Sequence, residues 1–171
     1  MTLVVLLGGA RSGKSARAVE LATRSGGHVV FVATAEAGDD EMAARIAMHR
    51  ASRPTHWSTV EEPLDLVGAL TAAEPGSTVV VDCLSLWASN AIGRGDADEE
   101  IETHAGDAAA AGASRRGLTI AVSNEVGLGL VPETPLGRRY RDLLGRVNAI
   151  WVAAADEAAI VVAGRSLRLE P

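Results

Sequence analysis

The sequence predicts an α/β fold in which a mostly parallel β-sheet has helices on both faces. Strand-like apolar runs recur along the chain at residues 3–7, 28–33, 78–82, 118–123 and 158–163. Segments of helical length separate these runs, and such alternation is typical of a parallel sheet whose crossover connections are helices. The 171 residues are 47% hydrophobic, which is enough for one sizeable core, so we expect a single domain over residues 1–171.

Local signals indicate where the helices lie. We predict them at residues 14–25, 39–52, 63–73, 84–92, 98–113 and 135–155. Gly26-Gly27 ends the first helix, and Asp39-Asp40-Glu41 places acidic residues at the start of the second, where the helix dipole favours them. The acidic, glycine-bearing stretch 93–100 is typical of an exposed connection. Residues 166–169 alternate in polarity and predict a final edge strand after a turn at Gly164-Arg165.

A phosphate-binding motif joins the first strand to the first helix. It reads Gly8-Gly9-Ala10-Arg11-Ser12-Gly13-Lys14-Ser15, and Lys14 is the only lysine among sixteen basic residues. Glycine lets the backbone curl so that N–H groups face phosphate oxygens, and lysine supplies a compact charge for the β- and γ-phosphates. Ser15 is the expected Mg²⁺ ligand. The motif predicts a P-loop NTPase-type, RecA-like domain; the alternative is a glycine-rich turn without a ligand.

A carboxylate closes the third strand-like run. Residues 78–82 read Thr-Val-Val-Val-Asp, and an acid at this position of a P-loop protein reaches the Mg²⁺ shell. Asp82 is therefore the second predicted metal residue. The alternative is a strand-end aspartate with no metal, because many buried strands end in this way.

Composition and net charge limit the kinds of partner that the protein can bind. The formal net charge is −6, which argues against binding to nucleic acid or to a membrane surface, because such partners normally require a basic face. The single cysteine, Cys83, excludes an internal disulfide framework and a cysteine-based zinc site, and its apolar surroundings predict an inert core thiol. The first apolar run is too short for a signal peptide, and no stretch has membrane-spanning length. We expect no membrane anchor and a cytoplasmic location.

The second helical segment carries a histidine between arginines. Met42, Ile46 and His49 recur at helical spacing on one face, and Arg45 and Arg53 lie one turn to either side of His49. Flanking guanidinium groups favour a neutral imidazole and also bind phosphate, and both properties suit a nucleophile that attacks an α-phosphate. The alternative is a half-buried helix histidine beside a solvated arginine face.

Four blocks of the sequence together resemble one enzyme family. They are the residue 8–15 motif, Ala33-Thr34-Ala35, the block from Asp40 through His49-Arg50 to Arg53-Pro54 with Trp57, and residues 124–132. They are similar to the bifunctional adenosylcobinamide kinase and adenosylcobinamide-phosphate guanylyltransferase of cobalamin biosynthesis. The resemblance runs from the first strand to beyond Asn148. The first motif is shared by many families, whereas the His49 block and the 124–132 block are specific.

The resemblance implies two reactions. An NTP phosphorylates the aminopropanol hydroxyl of adenosylcobinamide, and GTP then transfers GMP to the product through a GMP–histidine intermediate, with release of pyrophosphate. His49 matches the nucleophilic histidine, and Lys14 is the second expected catalytic residue. Mg²⁺ is the implied cofactor, ATP and GTP are the implied nucleotide substrates, and the implied assembly is a homo-oligomer, a trimer, with sites near subunit boundaries.

The resemblance also implies nucleotide contacts outside the P-loop. They come from Ala33, Thr34 and Ala35 at the end of the second strand, and from Arg50, Ala51, Ser52 and Arg53 after His49. Two acids, Glu61 and the strand-end Asp82, complete the set. Relatives often carry glutamate where this chain has Asp82. The shorter side chain favours a metal contact mediated by water.

The segment Asn124 to Pro132 follows a buried strand, so it should lie at the ligand-bearing edge of the sheet. Gly127 and Gly129 would let the backbone approach a bulky corrinoid or would permit a moving loop, and Glu125 is the only acid in the segment. The alternative is a structural crossover loop.

Other groups of residues carry weaker signals. Arg138, Arg139, Arg141 and Arg146 form the densest basic cluster, for which a solvated helix face is the favoured interpretation over a phosphate-facing patch or a subunit contact. His28, His56 and His104 have no spacing typical of a zinc site. Trp57, Trp87 and Trp151 are most simply core or interface residues, although Trp57 lies close enough in sequence to stack on a nucleotide ring.

Two other functions compete with the bifunctional transferase. A monofunctional P-loop small-molecule kinase would use His49 only structurally. A nucleotide-dependent switch or motor ATPase is disfavoured, because the guanine-reading Asn-Lys-x-Asp motif requires a lysine outside the P-loop and a motor needs a basic strand-binding surface.

Overall fold

The strands and helices alternate as the sequence predicts. A computed structural model describes residues 2–51 and 53–170, with all their side chains except those of residues 41 and 45. The strands are β1 Thr2–Gly8, β2 Val29–Ala33, β3 Ser58–Glu61, β4 Thr78–Asp82, β5 Leu118–Asn124, β6 Glu157–Val162 and β7 Arg165–Leu169. The helices are α1 Lys14–Ser25, α2 Asp40–Ala51, α3 Leu66–Ala72, α4 Leu84–Arg94, α5 Asp98–Ser114 and α6 Pro135–Ala154.

The seven strands form one sheet in the order β3-β2-β4-β5-β1-β6-β7. Six strands are parallel, and only β7 runs antiparallel, to β6. The predicted edge strand after the turn at Gly164 is therefore confirmed. Because parallel strands end at the same edge, the residues that follow β1, β2, β4 and β5 meet there.

Alternate residues of the central strands build two cores. On one face Leu3, Val5 and Leu7 of β1 pack with the helical residues Trp87 and Trp151. On the other face Val4 and Leu6 pack against α1, which buries Ala18 and Ala22 one turn apart, and against the buried Trp57. Helices on both faces, the buried tryptophans and the buried Cys83 thiol all agree with the sequence.

Some boundaries differ from the prediction. The strand β3 is not predicted, because its four residues lie at the edge of the sheet and are largely exposed, so they show no apolar run. The predicted connection 93–100 is too long, since α4 continues to Arg94 and α5 begins at Asp98. Helix α3 begins later than predicted, at Leu66, because the Asp65 carboxylate accepts a hydrogen bond from the Gly68 N–H and caps it.

The arginine cluster lies on α6 and forms ion pairs within the chain. Arg139 and Arg146 both bind the Asp98 carboxylate on α5, at 2.7 and 2.8 Å, and Arg146 also binds Glu102 at 2.6 Å. Arg141 pairs with Asp142. These side chains remain partly exposed, as a solvated face predicts, and Arg139 and Arg146 also join α5 to α6 through their ion pairs. No helix in residues 2–51 or 53–170 has the length and apolarity to cross a bilayer.

We predict that Trp151→Ala lowers the free energy of unfolding by about 3–5 kcal/mol, because it removes a fully buried indole and leaves a cavity between α6 and the sheet. Urea denaturation measures the change. The control Leu167→Ala removes a side chain of β7 that is 67% exposed and should change the free energy by less than about 1 kcal/mol. Equal losses in the two variants would contradict this description of the core.

Candidate active site

The P-loop is built between β1 and α1, as the motif predicts. Arg11 and Gly13 adopt positive φ angles of 56° and 100°, which turn the chain sharply before the helix begins at Lys14. The turn between β6 and β7 supports the loop from outside, because the Gly164 N–H donates to the Ser12 carbonyl at 2.8 Å. A side chain at position 13 would place its Cβ 3.2 Å from the Gly164 Cα.

Lys14 lies inside the loop rather than in solvent. Its side chain is 8% exposed, and Nζ donates to the Gly9 carbonyl at 3.0 Å. Burial lowers the pKa of Lys14, and the nearby Cys83 and Asp82 oppose that shift. The buried Ser12 hydroxyl has no hydrogen-bond partner within the described part of the chain. A buried cation and an unsatisfied hydroxyl in one loop suit a polyanionic ligand.

Asp82 and Ser15 meet beneath the loop. The Ser15 hydroxyl donates a hydrogen bond to the Asp82 carboxylate. Burial raises the pKa of Asp82, while that hydrogen bond and the charges of His49, Lys14 and Arg53 act in the opposite direction. Four other predicted site residues therefore act on the Asp82 carboxylate at this edge of the sheet.

These oxygens fit Mg²⁺. The ion is typically held by one or two carboxylates, hydroxyls, water and substrate phosphates rather than by a complete protein cage. The described residues contain no group of three or more His, Cys, Asp and Glu side chains placed to hold a metal. A hydroxyl and a carboxylate beside a phosphate-binding loop agree with a metal that arrives with its nucleotide.

His49 lies near the end of α2, on an exposed part of the helix. Met48 is 69% exposed, and Ala47, His49 and Arg50 are exposed as well. The alternative of a half-buried helix histidine is therefore wrong for this conformation. The charge of His49 acts on the buried Asp82 carboxylate at the end of β4 and lowers its pKa.

The residues after His49 return the chain to the sheet. Arg50 pairs with Glu61 at the end of β3, at 3.3 Å. The Arg53 guanidinium lies 3.6 Å from the centre of the Phe31 ring on β2. Burial lowers the pKa of Arg53. Ala51 is exposed. Ser52 lies outside the described residues, as does the side chain of Arg45.

Thr34, directly after β2, is hydrogen-bonded to Cys83, directly after β4. Its hydroxyl donates to the Cys83 carbonyl at 2.7 Å and accepts from the Cys83 N–H at 2.8 Å. Ala33 is buried and Ala35 is half-buried. The hydroxyl of Thr34 is thus already used within the protein, so a nucleotide contact from residues 33–35 would come from other atoms of this segment.

Asn90 is a positioning residue that the sequence does not predict. Its Nδ2 donates to the Thr34 carbonyl at 2.8 Å and to the Pro63 carbonyl at 3.2 Å. One amide of α4 thereby fixes the segments after β2 and after β3, between which α2 lies. A single asparagine in a helical segment gives no sequence signal of this role.

The segment that follows β5 lies beside the P-loop. The Glu125 N–H donates to the Gly8 carbonyl at 3.0 Å, so the chain continues past the last pair of the β1–β5 ladder. Further along, Leu128, Leu130 and Val131 are 83%, 95% and 63% exposed. The predicted position at the ligand-bearing edge of the sheet is confirmed.

Comparison with known proteins now decides the family. A family model described as cobinamide kinase / cobinamide phosphate guanyltransferase matches residues 4–169. The chain belongs to this family.

Curated relatives match over almost their whole length. The bifunctional adenosylcobalamin biosynthesis protein CobP of Pseudomonas aeruginosa is 43% identical over 167 residues, which cover 97% of this chain and 96% of the relative. The bifunctional adenosylcobalamin biosynthesis proteins CobU of Escherichia coli and of Salmonella typhimurium are 38% and 36% identical to this chain. In both cases the match covers 98% of this chain and 99% of the relative.

A solved structure of an ATPase from the type III secretion system of pathogenic bacteria shares the fold. It superposes with a TM-score of 0.61 at 12% identity, and the match covers 98% of this chain. The chain spans 56% of that protein's length. At this identity the likeness concerns the fold alone, and it agrees with the predicted P-loop, RecA-like class.

For this member of the family, we predict that Asp82→Asn raises the free energy of unfolding near pH 7 while it reduces catalysis. Burial raises the pKa of Asp82 above the value of an unfolded aspartate, about 3.9. The ionised carboxylate therefore costs folding free energy, and this cost grows as the pH rises from the unfolded pKa through the raised folded pKa. As the pH falls to about the unfolded pKa the advantage of asparagine becomes small, and it disappears at still lower pH, where both states are protonated.

Thermal unfolding of both proteins near pH 4 and near pH 7 measures the effect. The control Asp107→Asn changes an exposed residue of α5 and should give the same midpoint as the parent at both pH values. A loss of stability at pH 7 in Asp82→Asn would mean that Ser15 and the nearby cations outweigh burial.

Proposed function

We propose that this chain catalyses both reactions of its family on one nucleotide site. An NTP phosphorylates the aminopropanol hydroxyl of adenosylcobinamide, and GMP is then transferred from GTP to give adenosylcobinamide-GDP and pyrophosphate. The observation that carries the proposal is the convergence of Lys14, Ser15, Asp82 and His49, in which a phosphate loop and an imidazole act on the same carboxylate.

In the kinase step the P-loop binds the triphosphate. Backbone N–H groups of residues 8–15 surround the phosphates, and the buried ammonium of Lys14 neutralises the β- and γ-phosphates. Ser15 and Asp82 would hold Mg²⁺, which would supply positive charge that stabilises the phosphate oxygens. The substrate oxygen forms a bond to the γ-phosphorus, and the bond from that phosphorus to the leaving diphosphate breaks.

In the transfer step His49 is the nucleophile. A neutral ring nitrogen attacks the α-phosphorus of GTP, and the bond to pyrophosphate breaks. A phosphate oxygen of adenosylcobinamide phosphate then attacks the same phosphorus, and the imidazole leaves as a neutral ring. Arg50 and Arg53 follow His49 and supply positive charge for the phosphates, while residues 33–35 and Glu61 complete the nucleotide contacts.

Three further features belong to this proposal. The active form is a homo-oligomer, a trimer, with active sites near subunit boundaries. The enzyme works in the cytoplasm, on small molecules, without nucleic acid or a membrane anchor. Its nucleotide substrates are ATP and GTP, with Mg²⁺.

We predict that GTP labelled at the α-phosphate forms an acid-labile adduct with the protein and that His49→Ala forms none, because the nucleophile is missing. The variant keeps NTP-dependent phosphorylation of adenosylcobinamide, since the P-loop is unchanged. Acid-quenched gel autoradiography and product chromatography measure the two activities. The control His56→Ala removes another exposed histidine and retains the adduct. An adduct that persists in His49→Ala would identify another nucleophile, and a wild type with kinase activity alone would favour the monofunctional kinase.

We also predict that Lys14→Ala abolishes both activities, because both reactions need the triphosphate held in the loop. The matched control is Arg17→Ala, which removes a cation one turn further along α1 that pairs with Glu20 at 2.6 Å. This control should retain both activities. Kinase turnover in Lys14→Ala equal to that of the parent would contradict a shared loop.

A further inference from the structure

The strand β5 lies between the strand of the P-loop and the strand of Asp82. Its register pairs Asn124 with Gly8 of β1 and Val122 with Asp82 of β4. The first residue beyond β5 is Glu125, whose N–H donates to the Gly8 carbonyl at 3.0 Å. The backbone of Glu125 is thereby fixed against the first glycine of the phosphate-binding loop.

The Glu125 carboxylate is held by only one of its oxygens. Oε1 accepts a hydrogen bond from the Gly127 N–H, and a Cβ added at Gly127 would lie 2.9 Å from that oxygen. Glycine at position 127 therefore allows the backbone to approach the carboxylate. Within residues 2–51 and 53–170, Oε2 takes part in no hydrogen bond or ion pair, so one oxygen can still accept a proton.

The other carboxylates at this edge already have partners. Asp82 accepts the Ser15 hydrogen bond, and Glu61 pairs with Arg50. The carboxylate of Glu62 accepts from the N–H groups of Leu64 and Asp65, at 2.9 and 2.8 Å. Among these four acids, Glu125 is the one whose backbone is hydrogen-bonded to the first glycine of the P-loop, and within the described residues its carboxylate has one N–H donor and no ion-pair partner.

The two ends of the loop that carries Glu125 are anchored. The Asn148 amide on α6 donates to the Asn124 carbonyl at 3.0 Å, directly before Glu125. At the far end Arg138 donates to the carbonyls of Pro132 and Glu133, at 3.1 and 2.6 Å. The exposed apolar residues lie between these anchors. The loop therefore holds a carboxylate in a fixed place while its middle part remains accessible to a substrate.

We propose that Glu125 is the general base of the kinase reaction. This role rests on the function proposed above. Oε2 of Glu125 accepts the proton of the aminopropanol hydroxyl while the substrate oxygen forms its bond to the γ-phosphorus. The electron pair of the broken phosphorus–oxygen bond stays with the leaving diphosphate. The guanylyl transfer needs no such base, because the neutral imidazole attacks directly and the substrate phosphate is already ionised.

The test is Glu125→Gln, which keeps the shape of the side chain and its capacity to accept from Gly127. Removal of a general base should lower the kcat of adenosylcobinamide phosphorylation by roughly 100-fold or more, with the KM for ATP unchanged. The same preparation should form the His49 adduct with α-labelled GTP at the parental rate. This second readout also reports an intact fold and P-loop.

The matched control is Glu133→Gln, which neutralises an exposed acid of the same loop and should leave both activities at the parental level. A kinase kcat in Glu125→Gln within about threefold of the parent would overturn the base role, since base catalysis contributes far more than this. An equal loss of kinase and adduct formation would overturn it too, because Glu125 would then support the P-loop itself. Absence of adenosylcobinamide phosphorylation in the parent would instead overturn the proposed function.

Discussion

The buried carboxylate of Asp82 is the group on which the site depends. Asp82 ends the central strand β4 and accepts a hydrogen bond from Ser15. The charges of Lys14, His49 and Arg53 lower its pKa. Burial opposes its ionisation, so these partners favour a negative charge at the place where the proposed Mg²⁺ would bind. The fold places this charge beneath a loop that binds polyanions.

The proposed nucleophile, His49, is exposed, whereas Asp82 is buried. The tightly packed elements are the central strands and the helices that cover them, whereas α2 exposes Ala47, Met48, His49 and Arg50. The helix is fixed at its two ends, by Thr34 and Asn90 before it and by Arg53 on Phe31 after it. Because α2 is anchored on both sides and exposed between the anchors, the positions that the imidazole can reach are limited. The packing of the core does not depend on the conformation of α2.

Most of the fold and part of the site could be predicted from the sequence. The buried parallel strands are continuous apolar runs, and the P-loop is a local motif, so residues 3–15 and 78–82 carry their own signals. The strand β3 gives no such signal because it is short and exposed, and its pairing is decided by β2. The roles of Asn90 and Asn148 depend on carbonyls 56 and 24 residues away, which no local pattern encodes.

The strand order also explains how one small domain could carry out two reactions. The helix with His49 follows β2, Glu125 follows β5, and β4 with Asp82 lies between those two strands. The proposed nucleophile for the α-phosphorus and the proposed base for the γ-phosphoryl acceptor thus lie on opposite sides of the proposed metal-binding acid. A triphosphate bound by the loop would present different phosphorus atoms to each side. Because the two groups lie on separate elements, mutation of one group could abolish its reaction while the other reaction remains.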